Sequence, residues 1–215
     1  MAPMSRSVSA LIFDMDGVLA DTEGIHVRSW DIALEAIGVN ATEERKGLAG
    51  MSSAAIAREL IRLRRLQLSV DDLVQRKRTV FRRLIEDALV PFEGLPAEIA
   101  GWRQKPMALA TSSTRHEADF MLARLGFSGC FEPIVTSDDV AHAKPAPDVY
   151  LLAIERLGVP AGECVVLEDT LHGIRAARDA GAQVIGIASS DLPRQLEGVL
   201  GVFDSTVEAL RWLRG

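Results

Sequence analysis

Val8-Ser9-Ala10-Leu11-Ile12-Phe13-Asp14-Met15-Asp16-Gly17 sets a short, mostly apolar run directly against two acids and a glycine. An apolar run without polar alternation predicts a strand buried on both faces, as in a parallel sheet covered by helices. Three more runs read the same way: Met107–Ala110, 164–167 (CVVL) and 184–188 (VIGIA). Helical patterns lie between them at 117–125, Asp148–Leu157 and 171–180, the last two closed by Gly158 and Gly181. Strand–helix alternation of this kind predicts an α/β domain with a doubly wound parallel sheet.

One stretch interrupts the alternation. From Thr22 to Leu89 the pattern is helical throughout. Ile25, Trp30, Leu34 and Ile37 mark one amphipathic helix ended by Gly38; Ile56, Leu60, Leu63 and Leu66 mark a second, and 73–89 a third. Pro91, Gly94 and Pro96 mark the return to the α/β pattern. The expected organisation is an α/β core built from 1–19 and 92–215, with a helical cap subdomain at 20–91. No internal repeat or low-complexity segment is present.

The chain has 215 residues, 48% hydrophobic and 25% charged, which is globular composition and long enough for a full core without staples. Lys and Arg total 24 against 30 Asp and Glu, a net charge of −6. That balance argues against general nucleic-acid binding, which demands a basic surface. Cys130 and Cys164 stand in no CxxC or Cys/His cluster, which argues against a disulfide scaffold and a zinc site. No apolar run approaches membrane-spanning length, and the first residues do not read as a secretion signal. A soluble, cytoplasmic protein, monomeric or weakly dimeric, is the expectation.

Four motifs carry chemistry. Asp14 and Asp16 stand at the end of the first predicted strand, and in open parallel sheets ligands bind at the strands' carboxyl ends. Residues two apart in extended chain point the same way, so both carboxylates can face one site. A turn is the alternative; a calcium loop lacks its third acidic position. Thr111-Ser112-Ser113 follow the second strand, before Thr114 and Glu117 at capping-box spacing. Hydroxyls and N–H groups at a helix start form an anion site, or simply a cap. Lys144 opens Lys144-Pro145-Ala146-Pro147-Asp148, where two prolines stiffen the loop that holds the lysine, or start the next helix. Glu168-Asp169 follow the strand at 164–167; adjacent acids repel unless a cation lies near, and hard oxygen donors suit Mg²⁺. Asp169 could equally cap the next helix.

Acid pair, hydroxyl, lysine and acid pair thus recur in that order, each expected at the carboxyl end of a different strand. In this combination the chain resembles the haloacid dehalogenase superfamily of aspartate-nucleophile phosphotransferases. The likeness spans nearly the whole chain through DMDGVLADTE (14–23), TSS (111–113), KPAPD (144–148) and LEDTLHGIRAARDAG (167–181). It is strongest to the branch with a small helical cap, which holds β-phosphoglucomutase and sugar-phosphate phosphatases.

The resemblance implies a Rossmann-like core with the cap over its active site. It implies Asp14 as nucleophile and Asp16 as general acid and base. Mg²⁺ would be held by Asp14, the Asp16 main-chain carbonyl, Glu168 and Asp169. Lys144 would offset charge, and Thr111, Ser112 and Ser113 would bind phosphate. His26, on the first cap helix, and Lys77 match substrate-side residues of the cap, Lys77 within a basic patch that includes Arg58, Arg76 and Arg83. The mutases grip a second phosphate with an arginine where this chain has Ser53, which favours a phosphatase over a β-phosphoglucomutase. A phospho-receiver domain lacks the helical insertion and the D-x-D-G form. A catalytically dead binding module would have lost one of these residues.

Overall fold

The structure is a computed structural model and describes residues 8–46, 48, 51–188 and 192–215. Among the described residues, six strands form one parallel sheet: β1 (Ala10–Phe13), β2 (Met107–Ala110), β3 (Ile134–Val135), β4 (Cys164–Glu168), β5 (Gln183–Ile187) and β6 (Gly201–Phe203), in the order β3-β2-β1-β4-β5-β6. This is the doubly wound α/β arrangement the alternation predicts and the Rossmann-like core the resemblance implies. The central strand β1 is buried at every residue, which is why it carries no polar side chain until Asp14.

Side chains alternate across each strand. Ala10 and Ile12 of β1, with Ala108 and Ala110 of β2 and Val166 of β4, face a core closed by Val149, Tyr150 and Ala153 of α7 (Asp148–Leu157) and Ile174 and Ala177 of α8 (Leu171–Asp179). Leu11 and Phe13 point to the other face, where Phe13 meets Phe131 at 5.3 Å between ring centroids. Two further helices, α5 (Leu95–Trp102) and α9 (Thr206–Arg214), pack on each other. They are tied through Glu98, which accepts from Arg211 at 2.9 Å.

The chain divides into two compact units, Met1–Asp21 with Val90–Gly215, and Thr22–Leu89. The second consists of α1 (Glu23–Glu35), α2 (Thr42–Lys46), α3 (Ser53–Arg64) and α4 (Val70–Ala88). Its core joins Trp30 and Leu34 of α1 to Leu60 of α3 and Leu73 of α4. None of the helices in the described residues is long and apolar enough to cross a membrane.

Some boundaries differ from the sequence expectation for local reasons. The helix expected at 117–125 is α6 (Arg115–Arg124), because Thr114 and Glu117 form a reciprocal capping box that starts it two residues earlier. The helix expected from Leu73 starts at Val70, where the Ser69 hydroxyl accepts from Asp72 N. Strands β3 and β6 and helices α2, α5 and α9 are absent from the sequence reading. Lys144 is a correction: it does not end a strand but lies nine positions past Val135, in the loop leading to α7.

Candidate active site

Register alone gathers the acids. Phe13 pairs with Leu109 on one side and Leu167 on the other, so the residues that follow, Asp14, Ala110 and Glu168, end three adjacent strands together. Asp14 N donates to Leu167 O at 3.0 Å, which carries the pairing one residue beyond β1. Asp14 is buried, at 7% exposure, and Glu168 is more so, at 1%.

Lys144 enters from its proline-braced loop, 130 positions from Asp14 in sequence. Its ammonium donates to Asp14 Oδ1 at 2.7 Å, to Glu168 Oε1 at 2.7 Å and to the Ala110 carbonyl at 3.3 Å. An ammonium has three protons, and all three are used. Glu168 is held on both oxygens: Oε1 also accepts from Tyr150 Oη at 2.9 Å, and Oε2 accepts from Thr170 N and Oγ1 at 2.9 and 3.0 Å. A Cβ on Gly173 would collide with this carboxylate, and one on Gly17, whose φ is +71°, would collide with Asp169. Both glycines are therefore demanded by close approach, and Gly17 also by backbone conformation.

Asp14, Glu168 and Asp169 each present a carboxylate oxygen within 4.8 Å of the others. Burial raises the Asp14 carboxyl to about 7, against the lowering effect of Lys144 and with further upward push from Glu168 and Asp16. Asp169 rises to about 9 through burial and the charges of Glu168, Asp14 and Asp16. Burial would raise Glu168 as well, but Lys144 and its other donors outweigh that and hold it below the usual carboxylate range. Lys144 is raised well above its ordinary value, since Asp14 and Glu168 outweigh the burial that opposes its charge. Three converging carboxylates with one ammonium leave uncompensated negative charge, and this oxygen donor set fits a hard divalent cation.

A stability consequence follows with a definite sign. Between the ordinary carboxylate value near ~3.9 and the native values of Asp14 and Asp169, the folded protein holds more protons than the unfolded chain. Stability therefore falls as pH rises through that window. The chelator-treated protein should lose several degrees of melting temperature between about pH 5 and 9, and Asp169→Asn should flatten the slope. A midpoint that holds or climbs over this range in the wild type would refute the raised values.

The remaining candidates are placed as follows. Thr111 is buried, and its Oγ1 accepts from Ser113 N at 3.1 Å, closing the turn between β2 and α6. Ser112 is exposed, and the Ser113 carbonyl accepts from Ser137 Oγ at 3.1 Å. Asp16 is partly buried and forms a bridge with Ala20. His26 and Lys77 belong to the helical unit and meet each other there. Lys77 Nζ donates to His26 Nδ1 at 2.7 Å, and Phe81 stacks on the imidazole at 4.2 Å between centroids. Ser53 is the first residue of α3, behind the capping Ser52, while Gly50 lies outside the described residues. Tyr150 and Thr170, which hold Glu168, were not among the sequence candidates. Thr170 carried a signal as the residue after the acid pair and the cap of α8.

Comparison with known proteins bears on the family and the fold. The family model of haloacid dehalogenase-like hydrolases matches residues 8–181. The chain is 36% identical over 186 residues to fructose-1-phosphate phosphatase YqaB of Escherichia coli, covering 86% of this chain and 98% of that one. It is 33% identical over 189 residues to the phosphorylated carbohydrates phosphatase of Thermotoga maritima, covering 85% and 87%. Among solved structures, CbbY from Rhodobacter sphaeroides in complex with phosphate matches with a TM-score of 0.82 at 28% identity, covering 94% of this chain and 96% of that one. With its acids, hydroxyls and lysine gathered at the carboxyl edge of the sheet, the chain is an enzyme and belongs to the haloacid dehalogenase-like hydrolases.

Proposed function

We propose that this enzyme is an Mg²⁺-dependent phosphatase of small phosphorylated sugars, acting through an aspartyl phosphate on Asp14. One observation carries the reading: a single buried ammonium, Lys144, bridges Asp14 and Glu168 while Asp169 converges on the same point. The named relatives, which act on fructose 1-phosphate and on phosphorylated carbohydrates, support the substrate class.

In this reading the Asp14 carboxylate attacks phosphorus, an O–P bond forms, and the ester oxygen departs with its electron pair. Asp16 gives that oxygen a proton, then takes one from the water that cleaves the acyl phosphate. Lys144 holds Asp14 in place and favours its ionised form against the burial that opposes it. Thr111 keeps its hydroxyl proton for an anionic oxygen, with the Ser112 and Ser113 hydroxyls beside it, while the first N–H groups of α6 are taken by Glu117, Asp138 and Thr114. When bound, Mg²⁺ would supply positive charge against the phosphate oxygens, with Asp14, Asp169 and the Asp16 carbonyl as donors. Glu168, whose oxygens each already accept two hydrogen bonds, contributes charge more than coordination. The inserted helical unit, as cap, supplies substrate recognition, His26 and Lys77 among its residues.

A mutase must retain a bisphosphate intermediate, and Ser53 offers a single uncharged donor for its second phosphate. Losing one charge-assisted contact costs roughly 1.5–3 kcal/mol, about tenfold or more in retention. Hexose and pentose phosphates should therefore yield free phosphate, with at most slow conversion of β-glucose 1-phosphate to glucose 6-phosphate. The test measures phosphate and isomerised sugar side by side, with Mg²⁺ and catalytic bisphosphate present. Isomerisation outpacing phosphate release would make the enzyme a mutase.

A further inference from the structure

Tyr150 is the chain's single tyrosine, and its side chain is completely buried. It stands in the first turn of α7, six positions after Lys144, with its ring in the apolar core between α7, α8 and the sheet. A phenylalanine would satisfy that packing, so the hydroxyl is a polar group taken from water and in need of a partner. The partner is charged: Tyr150 Oη donates to Glu168 Oε1 at 2.9 Å. The same oxygen accepts from Lys144 at 2.7 Å, and the Lys144 ammonium lies 4.8 Å from the centroid of the Tyr150 ring. Ring, ammonium and carboxylate therefore close a triangle in which Tyr150 touches both other members.

That triangle has one outlet. The ammonium's remaining protons go to a main-chain carbonyl and to Asp14 Oδ1. Anything that shifts Glu168 or lets the ammonium sag from the ring is felt at Asp14. Thr170 and Gly173 fix the far side of the Glu168 carboxylate, through two hydrogen bonds and through the absence of a Cβ. Tyr150 fixes its near side.

We propose that Tyr150 is a positioning residue for the reaction assigned above: its hydroxyl anchors Glu168 and its ring face carries Lys144, so that the ammonium stays on Asp14. The proposal rests on the phosphatase reading for the reaction it serves. Tyr150 acts through Lys144 and Glu168 and makes no contact with the phosphoryl group.

The test uses the full chain with p-nitrophenyl phosphate and Mg²⁺, and the metal-free chain for a second readout. Tyr150→Phe keeps the ring and removes the hydroxyl. It should lower kcat about tenfold while KM stays within about twofold and the melting temperature within a few degrees. Tyr150→Leu removes the ring as well and should lower kcat further. In ¹⁵N-resolved NMR of the metal-free protein, the Lys144 ammonium protons, assigned by their loss in Lys144→Arg, should exchange faster with water in Tyr150→Phe. A kcat in Tyr150→Phe within about twofold of wild type, or unchanged ammonium exchange, would overturn the positioning role. A wild type that hydrolyses no phosphate monoester would instead bring down the phosphatase reading and this proposal with it, so the two failures are told apart.

Discussion

Asp14→Asn lowers turnover by at least about 10⁴-fold, the scale expected when a covalent nucleophile is removed, and leaves the fold intact. The substitution is nearly isosteric. Its structural cost is small for a reason visible in the site: burial raises the Asp14 carboxyl to about 7, so the folded site already favours the neutral form more than water does. An amide copies that neutral form. It also removes one of the charges that push Asp169 up, so the remaining acids repel less. The melting temperature should therefore stay within a few degrees of wild type. Wild-type protein given beryllium fluoride and Mg²⁺ should trap a phosphate mimic on Asp14, visible by ¹⁹F NMR, and the Asn variant should not. Turnover by the variant above about a hundredth of wild type, with wild-type contamination excluded, would remove Asp14 from the nucleophile role.

The acids were legible because fully buried strands end abruptly. Phe13 to Asp14 and Leu167 to Glu168 are steps from apolar to charged, and in a parallel sheet such a step marks the strand's carboxyl end, where ligands bind. Lys144 was legible as a residue but not as a position. The strand that precedes it, Ile134–Val135, is two residues long and exists through its pairing with β2, so no periodicity announces it. Edge strand β6 is only half-buried and begins with glycine, which hides it equally well. Helix α9 did carry a signal, with Ser205 and Glu208 at its start and Val207 and Leu210 on one face. Tyr150 stayed hidden for a different reason. Within Asp148–Leu157 it reads as one more core residue of an amphipathic helix, and only the fold brings its hydroxyl to Glu168, eighteen positions away. Partnership between distant charged groups is a property of packing, and it was the part of the site that spacing could not express.

Lys144→Met should lower turnover about a thousandfold, the range seen when a cation that stabilises a phosphoryl or oxyanion transition state is lost. The methionine keeps much of the aliphatic stem and removes the charge. Two buried carboxylates then lose their shared partner, and breaking a buried ion pair from one side costs about 3–5 kcal/mol. At about 2–4 °C per kcal/mol for a chain of this size, the melting temperature should drop by roughly 10 °C. The pH profile gives the sharper discrimination. In the wild type Lys144 lowers the Asp14 carboxyl against the effect of burial. Without the ammonium the carboxyl holds its proton to higher pH, so the acid limb of kcat/KM for the residual activity must move upward. A merely destabilised enzyme would lose activity without moving that limb. An acid limb that stays in place, measured well below the variant's melting temperature with saturating Mg²⁺, would mean that Lys144 does not set the ionisation of the nucleophile.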